Sequence, residues 1–245
     1  MGIGVSDYDR DGRLDLAVSN IGGNALLRNK GDGTFASVAA AAGVEAPLQS
    51  ARLAAVTWGT IFGDFNLDGW EDLYVAAGYI HQDPWDTAPQ PNQLFVNDRG
   101  RRFLDLRSVS RADDPDNSRG VATADYDRDG RLDLLVVDQP GNLHLYRNVT
   151  PRSGSHWLEV DTVGRRSNRD GCGTRLELSG LPGGTMVREV FCGSVGHSSG
   201  SDPVVHFGLA RAKVVPRLTV IWPSGKRQIL RKVKADRLLR ISEPK

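Results

Sequence analysis

Cysteine is nearly absent: Cys172 and Cys192 are the only two in 245 residues. That excludes a disulfide-dense scaffold and, with no histidine partner at ligand spacing, a zinc site. In an oxidising compartment the pair could form one disulfide; two buried thiols fit the sequence equally well. Aromatic residues make up only 7%, and no stretch approaches the roughly 20 apolar residues of a membrane span. Charge of one sign is lacking too. Thirty-one Lys and Arg against 30 Asp and Glu leave a net charge of +1, which gives no footprint for nucleic acid or a membrane surface. The opening Met1-Gly-Ile-Gly-Val-Ser-Asp7 has neither the basic segment nor the apolar core of a signal peptide. There is no G-x-S-x-G elbow to support the cluster His197, Ser198, Ser199 and Asp202 as a hydrolase site, so no catalytic residue is assigned and a polar turn is expected there.

Glycine, in contrast, is plentiful at 28, as many short strands joined by tight turns require. The ten residues from Asp7 to Leu16 recur letter for letter from Asp125 to Leu134. A degenerate copy runs from Asp64 to Leu73, so the spacings are 57 (7 to 64) and 61 (64 to 125). A fixed period of about sixty residues outranks other fold signals.

Each copy reads D-x-[DN]-x-D-G-x-x-D-L, and alternate positions supply oxygen. In the first loop these are Asp7, Asp9, Asp11, the carbonyl of Arg13, and Asp15. The second offers Asp64, Asn66, Asp68, the Trp70 carbonyl and Asp72; the third offers Asp125, Asp127, Asp129, the Arg131 carbonyl and Asp133. Converging carboxylates repel unless a cation lies between them, and oxygen-only ligation suits Ca²⁺. Up to three ions are expected, the weakest in the second loop, where Asn66 removes one charge. The EF-hand reading fails because Val18, Val75 and Val136 stand where its bidentate Glu is needed. A β-branched, apolar run follows each loop, so each loop joins two strands.

Further strands end alike, in Asn29, Asn97 and Asn148, and a fourth follows in the first two repeats. The pattern predicts an all-β chain: three four-stranded β-propeller blades (about 1–50, 51–112 and 113–150), with at most a helical turn between Val38 and Gly43. Three blades cannot close a ring, so the pattern predicts the C-terminal part of a longer propeller, or association with other chains. From residue 151 to 245 seven candidate strands, with Pro223-Ser224-Gly225 as a tight turn, predict a small β-sandwich or barrel. The excursion from Gly78 to Asn92 carries Tyr79, His81 and Trp85, which could contact a sugar or peptide. Arg165, Arg166 and Arg169 form a small basic cluster.

These loops resemble the FG-GAP/VCBS repeat. The stretches Asn168 to Arg175, Val187 to Val190, Ser201 to Leu209 and Trp222 to Lys226 look like the ASPIC/UnbV domain, which follows such propellers in the cartilage acidic protein-like family. The resemblance covers nearly the whole chain. It implies a secreted, cell-surface or periplasmic protein, calcium in the propeller loops, and no established enzymatic activity. It points to a binding or adhesion module with a protein or glycan ligand; the alternative is an accessory protein in an enediyne-type biosynthetic or a glycan-processing pathway. Cys172 and Cys192 stand where the family usually has small or aliphatic residues, and Ser194 to Gly200 lacks the aromatic common there.

Overall fold

A computed structural model describes residues 1–45, 55–80, 90–193, 196 and 199–245. The first repeat supplies β1 (Ile3–Ser6), β2 (Asp15–Val18), β3 (Ala25–Asn29), β4 (Phe35–Ser37) and the single helical turn α1 (Ala39–Ala42). The second supplies β5 (Thr57–Gly63), β6 (Asp72–Ala77), β7 (Gln93–Asn97), β8 (Phe103–Asp105) and α2 (Arg107–Ser110). In the third are β9 (Ser118–Ala124), β10 (Asp133–Asp138) and β11 (Leu143–Tyr146). The remainder forms β12 (Trp157–Val163), β13 (Arg175–Ser179), β14 (Met186–Glu189), β15 (Val205–Gly208), β16 (Val214–Ile221), β17 (Arg227–Lys234) and β18 (Arg237–Ser242).

Among the described residues the chain is all-β and holds five small sheets where the repeats mark three: β1-β2-β3-β4, β5-β6-β7-β8, β11-β10-β9, β15-β12-β18 and β14-β13-β16-β17. The expectation of three four-stranded repeats is corrected at the third, which has three strands. After Asn29 and Asn97 a glycine turn (Gly31 and Gly33; Gly100) folds the chain back into β4 and β8. Asn148 leads instead into Val149-Thr150-Pro151, and proline offers no N–H to a ladder.

The second sheet lies between the first and third. Leu73 and Val75 of β6 join a cluster with Tyr8, Leu26 and Phe95, while Tyr74 joins one with Val121, Leu134 and Val136. Alternate residues point to opposite faces of a strand, so a sheet covered on both faces needs an uninterrupted apolar run, as in Leu-Tyr-Val-Ala-Ala. The last two sheets share one core, in which Leu158, Leu176, Phe207, Leu218 and Trp222 are buried. Burial of each such side chain contributes about 1.5–3 kcal/mol. Within them β12 and β18 pair in parallel and the other neighbours are antiparallel.

No helix among the described residues is long and apolar enough to cross a membrane. Cys172 and Cys192 are joined, with Cα atoms 5.5 Å apart. Of the excursion residues, Tyr79 is half-buried, its carbonyl accepting a bond from Arg119. His81 and Trp85 lie outside the described residues, as do His197 and Ser198. The Arg165 and Arg166 N–H groups, with that of Ser167, all donate to one Glu243 oxygen. Burial opposes ionisation of Glu243, but these donors and the Ser224 hydroxyl hold its carboxyl well below the usual range.

Candidate metal centre

Each Asp-rich loop closes an antiparallel pair, and its last aspartate starts the second strand. Ser6 faces Asp15, Gly63 faces Asp72 and Ala124 faces Asp133. The turn takes two left-handed residues per loop: Arg10 and Gly12, Leu67 and Gly69, Arg128 and Gly130. Glycine accepts that conformation freely; Arg10, Leu67 and Arg128 adopt it against a side-chain penalty of roughly 1 kcal/mol. The first carboxylate supports the turn from inside. Asp7 accepts from Gly12 N–H at 3.1 Å, Asp64 from Gly69 N–H at 2.7 Å and Asp125 from Gly130 N–H at 2.6 Å.

The shared asparagine ending acquires its meaning here. The N–H groups of Asn29, Asn97 and Asn148 donate to Asp15, Asp72 and Asp133 at 2.7, 2.9 and 2.7 Å. Their side-chain amides donate to the carbonyls of Leu14, Glu71 and Leu132, just before those aspartates. Asn97 also donates to Tyr8 O at 3.0 Å and Asn148 to Phe65 O at 2.7 Å, each reaching into the preceding repeat's loop. The repeats are thus tied together loop to loop.

Two of the three expected ligand sets come together. Asp7, Asp9 and Asp15 offer oxygens within 4.8 Å of one another, and so do Asp125, Asp127 and Asp133. Asp11 and Asp129 are turned aside to Arg13 and Arg131. A second arginine approaches each loop: Arg28 lies 2.6 Å from Asp9, and Arg147 2.7 Å from Asp127. The middle set of Asp64, Asn66, Asp68 and Asp72 is not among the converging groups of the described residues. Both oxygens of Asp72 are taken by Asn97 and Phe65 N–H groups, and Gly208 packs against Asp64 with no space for a Cβ.

Burial raises the carboxyls of Asp7 and Asp15 to about 7, and the neighbouring aspartates of the loop add to it. Asp125 and Asp133, less buried, are raised for the same reason. One atom separates the two identical loops. Asp15 is fully buried, and its Oδ2 has no hydrogen-bond partner, whereas Asp133 Oδ2 accepts from Tyr126 N–H at 3.2 Å. An orphaned buried carboxylate oxygen beside two further carboxylates fits a hard cation.

A fourth group escaped the repeat pattern: Asp114, Asp116, Asp138 and His144 also converge within 4.8 Å. His144 bridges Asp138 (2.6 Å) and Asp114 (3.3 Å), and Ser118 donates to Asp138 at 2.7 Å. Its members come from a loop and two strands, so no local spacing announces it. Asp138, beyond the third loop by sequence, consequently sits in a carboxylate cluster of its own.

The C-terminal part covers the loop ends. Arg175 donates to Gly12 O at 2.8 Å, His206 faces Gly130 O at 3.0 Å and Ala210 N–H donates to Leu67 O at 3.0 Å. Arg188 pairs with Glu71 at 2.9 Å, and Glu71 in turn accepts from Ser6. Ser199 accepts from Val121 N–H at 3.1 Å, and Asp202 from Val204 N–H at 3.0 Å.

The sequence comparisons agree with this architecture. Residues 7–75 and 64–136 match the FG-GAP-like repeat, and residues 164–245 match the family described as ASPIC and UnbV. Cartilage acidic protein 1 of Xenopus tropicalis is 25% identical over 279 aligned positions, covering 92% of this chain and 42% of the relative. The Mus musculus protein of the same name is 27% identical over 282 positions, with the same coverages. That of Homo sapiens is 29% identical over 192, covering 76% of this chain and 27% of the relative. The chain spans less than half the length of these relatives. With both matched regions seated on the sheets and loops described above, this chain belongs to the FG-GAP-repeat, ASPIC/UnbV-domain family that is related to cartilage acidic protein.

Proposed function

We propose that the chain is a calcium-stabilised binding or adhesion module of a secreted or cell-surface protein. Its three repeats act as neighbouring propeller blades, and the two C-terminal sheets as a β-sandwich seated on their loops. The carrying observation is Asp15 Oδ2, buried and unpaired against Asp7 and Asp9. In the first loop Asp7, Asp9 and Asp15 would hold the ion, with the Arg13 carbonyl and Asp11 completing an oxygen set after Asp11 leaves Arg13. Asp125, Asp127 and Asp133 form the second site. The middle loop, whose carboxylates do not converge and in which Asn66 replaces an aspartate, serves as a metal-free turn. The ion neutralises clustered charge and stiffens the surface that meets a protein or glycan partner.

The Cys172–Cys192 bond supports an oxidising compartment. So does the cation chemistry, since extracellular calcium modules work at about 10⁻⁴–10⁻³ M, concentrations the cytosol does not supply. Calcium titration by calorimetry on the chelator-treated chain should give two sites. Asp15→Asn should remove the tighter one, and Asp133→Asn the other. A titration without heat, and a melting curve indifferent to millimolar calcium, would refute the reading.

A further inference from the structure

A cavity of about 480 Å³ lies where the inner strands β1, β5 and β9 face the C-terminal sheets. That volume suits a small ligand, and interfaces between structural units are where such pockets concentrate. Its apolar wall includes Phe62, Trp157 and Phe191. Its charged groups are unbalanced: five carboxylates (Glu71, Asp125, Glu159, Glu189, Asp202) against Arg128 and Arg188. Glu71 is bound to Arg188 and Ser6, and Asp125 to its own loop. The Glu159 side chain has no hydrogen bond or ion pair among the described residues, although it is half-buried.

Two further groups mark the same wall. His206 sits directly across from Glu159 in the β12–β15 ladder, so both side chains share one face. It is buried at 8% exposure, with Nε2 on Gly130 O and Nδ1 unpartnered. Beside it Arg188, its guanidinium 5.4 Å from the Phe207 ring, is buried at 6% exposure and leaves Nη2 unpartnered. Folded proteins seldom leave such atoms unsatisfied. A free carboxylate next to unfilled hydrogen-bonding nitrogens, under an aromatic wall, asks for a molecule carrying both a cation and an oxygen acceptor.

We propose that this cavity binds a small ligand with a free ammonium group and a neighbouring oxygen acceptor, as in an amino acid or a peptide's amino terminus. Glu159, with Asp202 nearby at the rim, receives the ammonium together with the His206 Nδ1 lone pair, since the neutral imidazole spends its one N–H on Gly130 O. Arg188 Nη2 donates to the oxygen. The apolar side chain lies against Trp157 and Phe191. The inference does not require filled cation loops.

Calorimetry on the full chain with L-leucine, with Leu-Gly-Gly and with N-acetyl-L-leucine tests it. Leucine or the tripeptide should bind and the acetylated compound should not; binding by the tripeptide alone identifies the source as a peptide end. Glu159→Gln should weaken binding about tenfold or more, the loss of a charge-assisted hydrogen bond. Asp161→Asn, on the same strand but outside the cavity, should not weaken it. Asp15→Asn should retain amine binding, which separates this result from the calcium reading. Equal binding of N-acetyl-L-leucine, no binding of any compound, or indifference to Glu159→Gln with a folded melting curve would overturn it. So would loss of a calcium site in Glu159→Gln, which would make the cavity a metal site.

Discussion

Arg28→Gln should tighten calcium binding at the first loop. Arg28 holds Asp9 at 2.6 Å and reaches Asp11 at 3.6 Å, so a bound ion would lie close to its guanidinium. A calcium about 2.4 Å from the Asp9 oxygen would be roughly 5 Å from that charge. Repulsion between +2 and +1 at this distance is about 1.7 kcal/mol in a water-like dielectric. This is the appropriate medium, because Arg28 is 47% exposed. Removal of the guanidinium should therefore lower the dissociation constant by about ten- to twentyfold. The pair itself is worth at most about 1 kcal/mol at such a surface site, so the metal-free protein should lose little stability. Arg101→Gln, a comparable charge removal from an exposed pair with Asp98, controls for net charge. Calorimetric titration at fixed ionic strength reads both variants. An unchanged constant would show that no ion lies beside Asp9. Weaker binding would show that Arg28 holds Asp9 in the binding position and does not compete with the ion for it.

Three further expectations rest on separate features. Asn97→Ala removes amide bonds to Tyr8 O and Glu71 O from a buried site, and chemical denaturation should show a loss of about 2–3 kcal/mol; a loss below 0.5 kcal/mol would dismiss the loop-to-loop tie. Reduction, or the Cys172→Ser/Cys192→Ser double variant, opens a crosslink of sequence separation 20 and should cost about 3 kcal/mol, read as a lower Tm; an unchanged Tm under reductant would contradict it. His206 is held down to about 4 by burial, with the Arg188 charge adding and the Gly130 bond opposing. Its contribution is complete above the unfolded value of 6.5 and is lost as pH falls from 6.5 towards 4, in all about 3 kcal/mol. Stability measured across that range should fall less steeply in His206→Gln than in the parent. Parallel curves would mean the imidazole is not buried neutral. Glu159, raised to about 7 chiefly by burial, acts in the opposite sense in both proteins and cancels in the comparison.

Much was legible in the chain because it is local. The hairpin loops, the strands that follow them and the glycine turns that create β4 and β8 depend on residues a few positions apart. The missing fourth strand of the third repeat, which the repeat pattern did not predict, also has a local cause, since Pro151 follows Asn148 where the other repeats turn back. Less legible were Arg10, Leu67 and Arg128, whose left-handed backbones no side chain advertises, and the asparagines, whose repetition was visible but whose hydrogen bonds cross from one repeat to the next. The Asp114–Asp116–Asp138–His144 group and the Glu159–His206 pair join segments distant in sequence, and no spacing reveals them.

The two identical decapeptides mark the boundary between the two kinds of information. Asp7 to Leu16 and Asp125 to Leu134 make the same turn, with the same positive φ angles and the same aspartate-to-glycine bond, because those features need only the ten residues themselves. They do not share an environment. The first has Asp7 and Asp15 wholly buried, Arg175 on its glycine carbonyl and one carboxylate oxygen left over; the third is more open, carries His206 on the equivalent carbonyl and has both Asp133 oxygens bonded. The decapeptide determines where a cation could be held. What packs over it determines how strongly the cation is needed, because desolvation and the supply of partners for each oxygen are properties of the assembled fold.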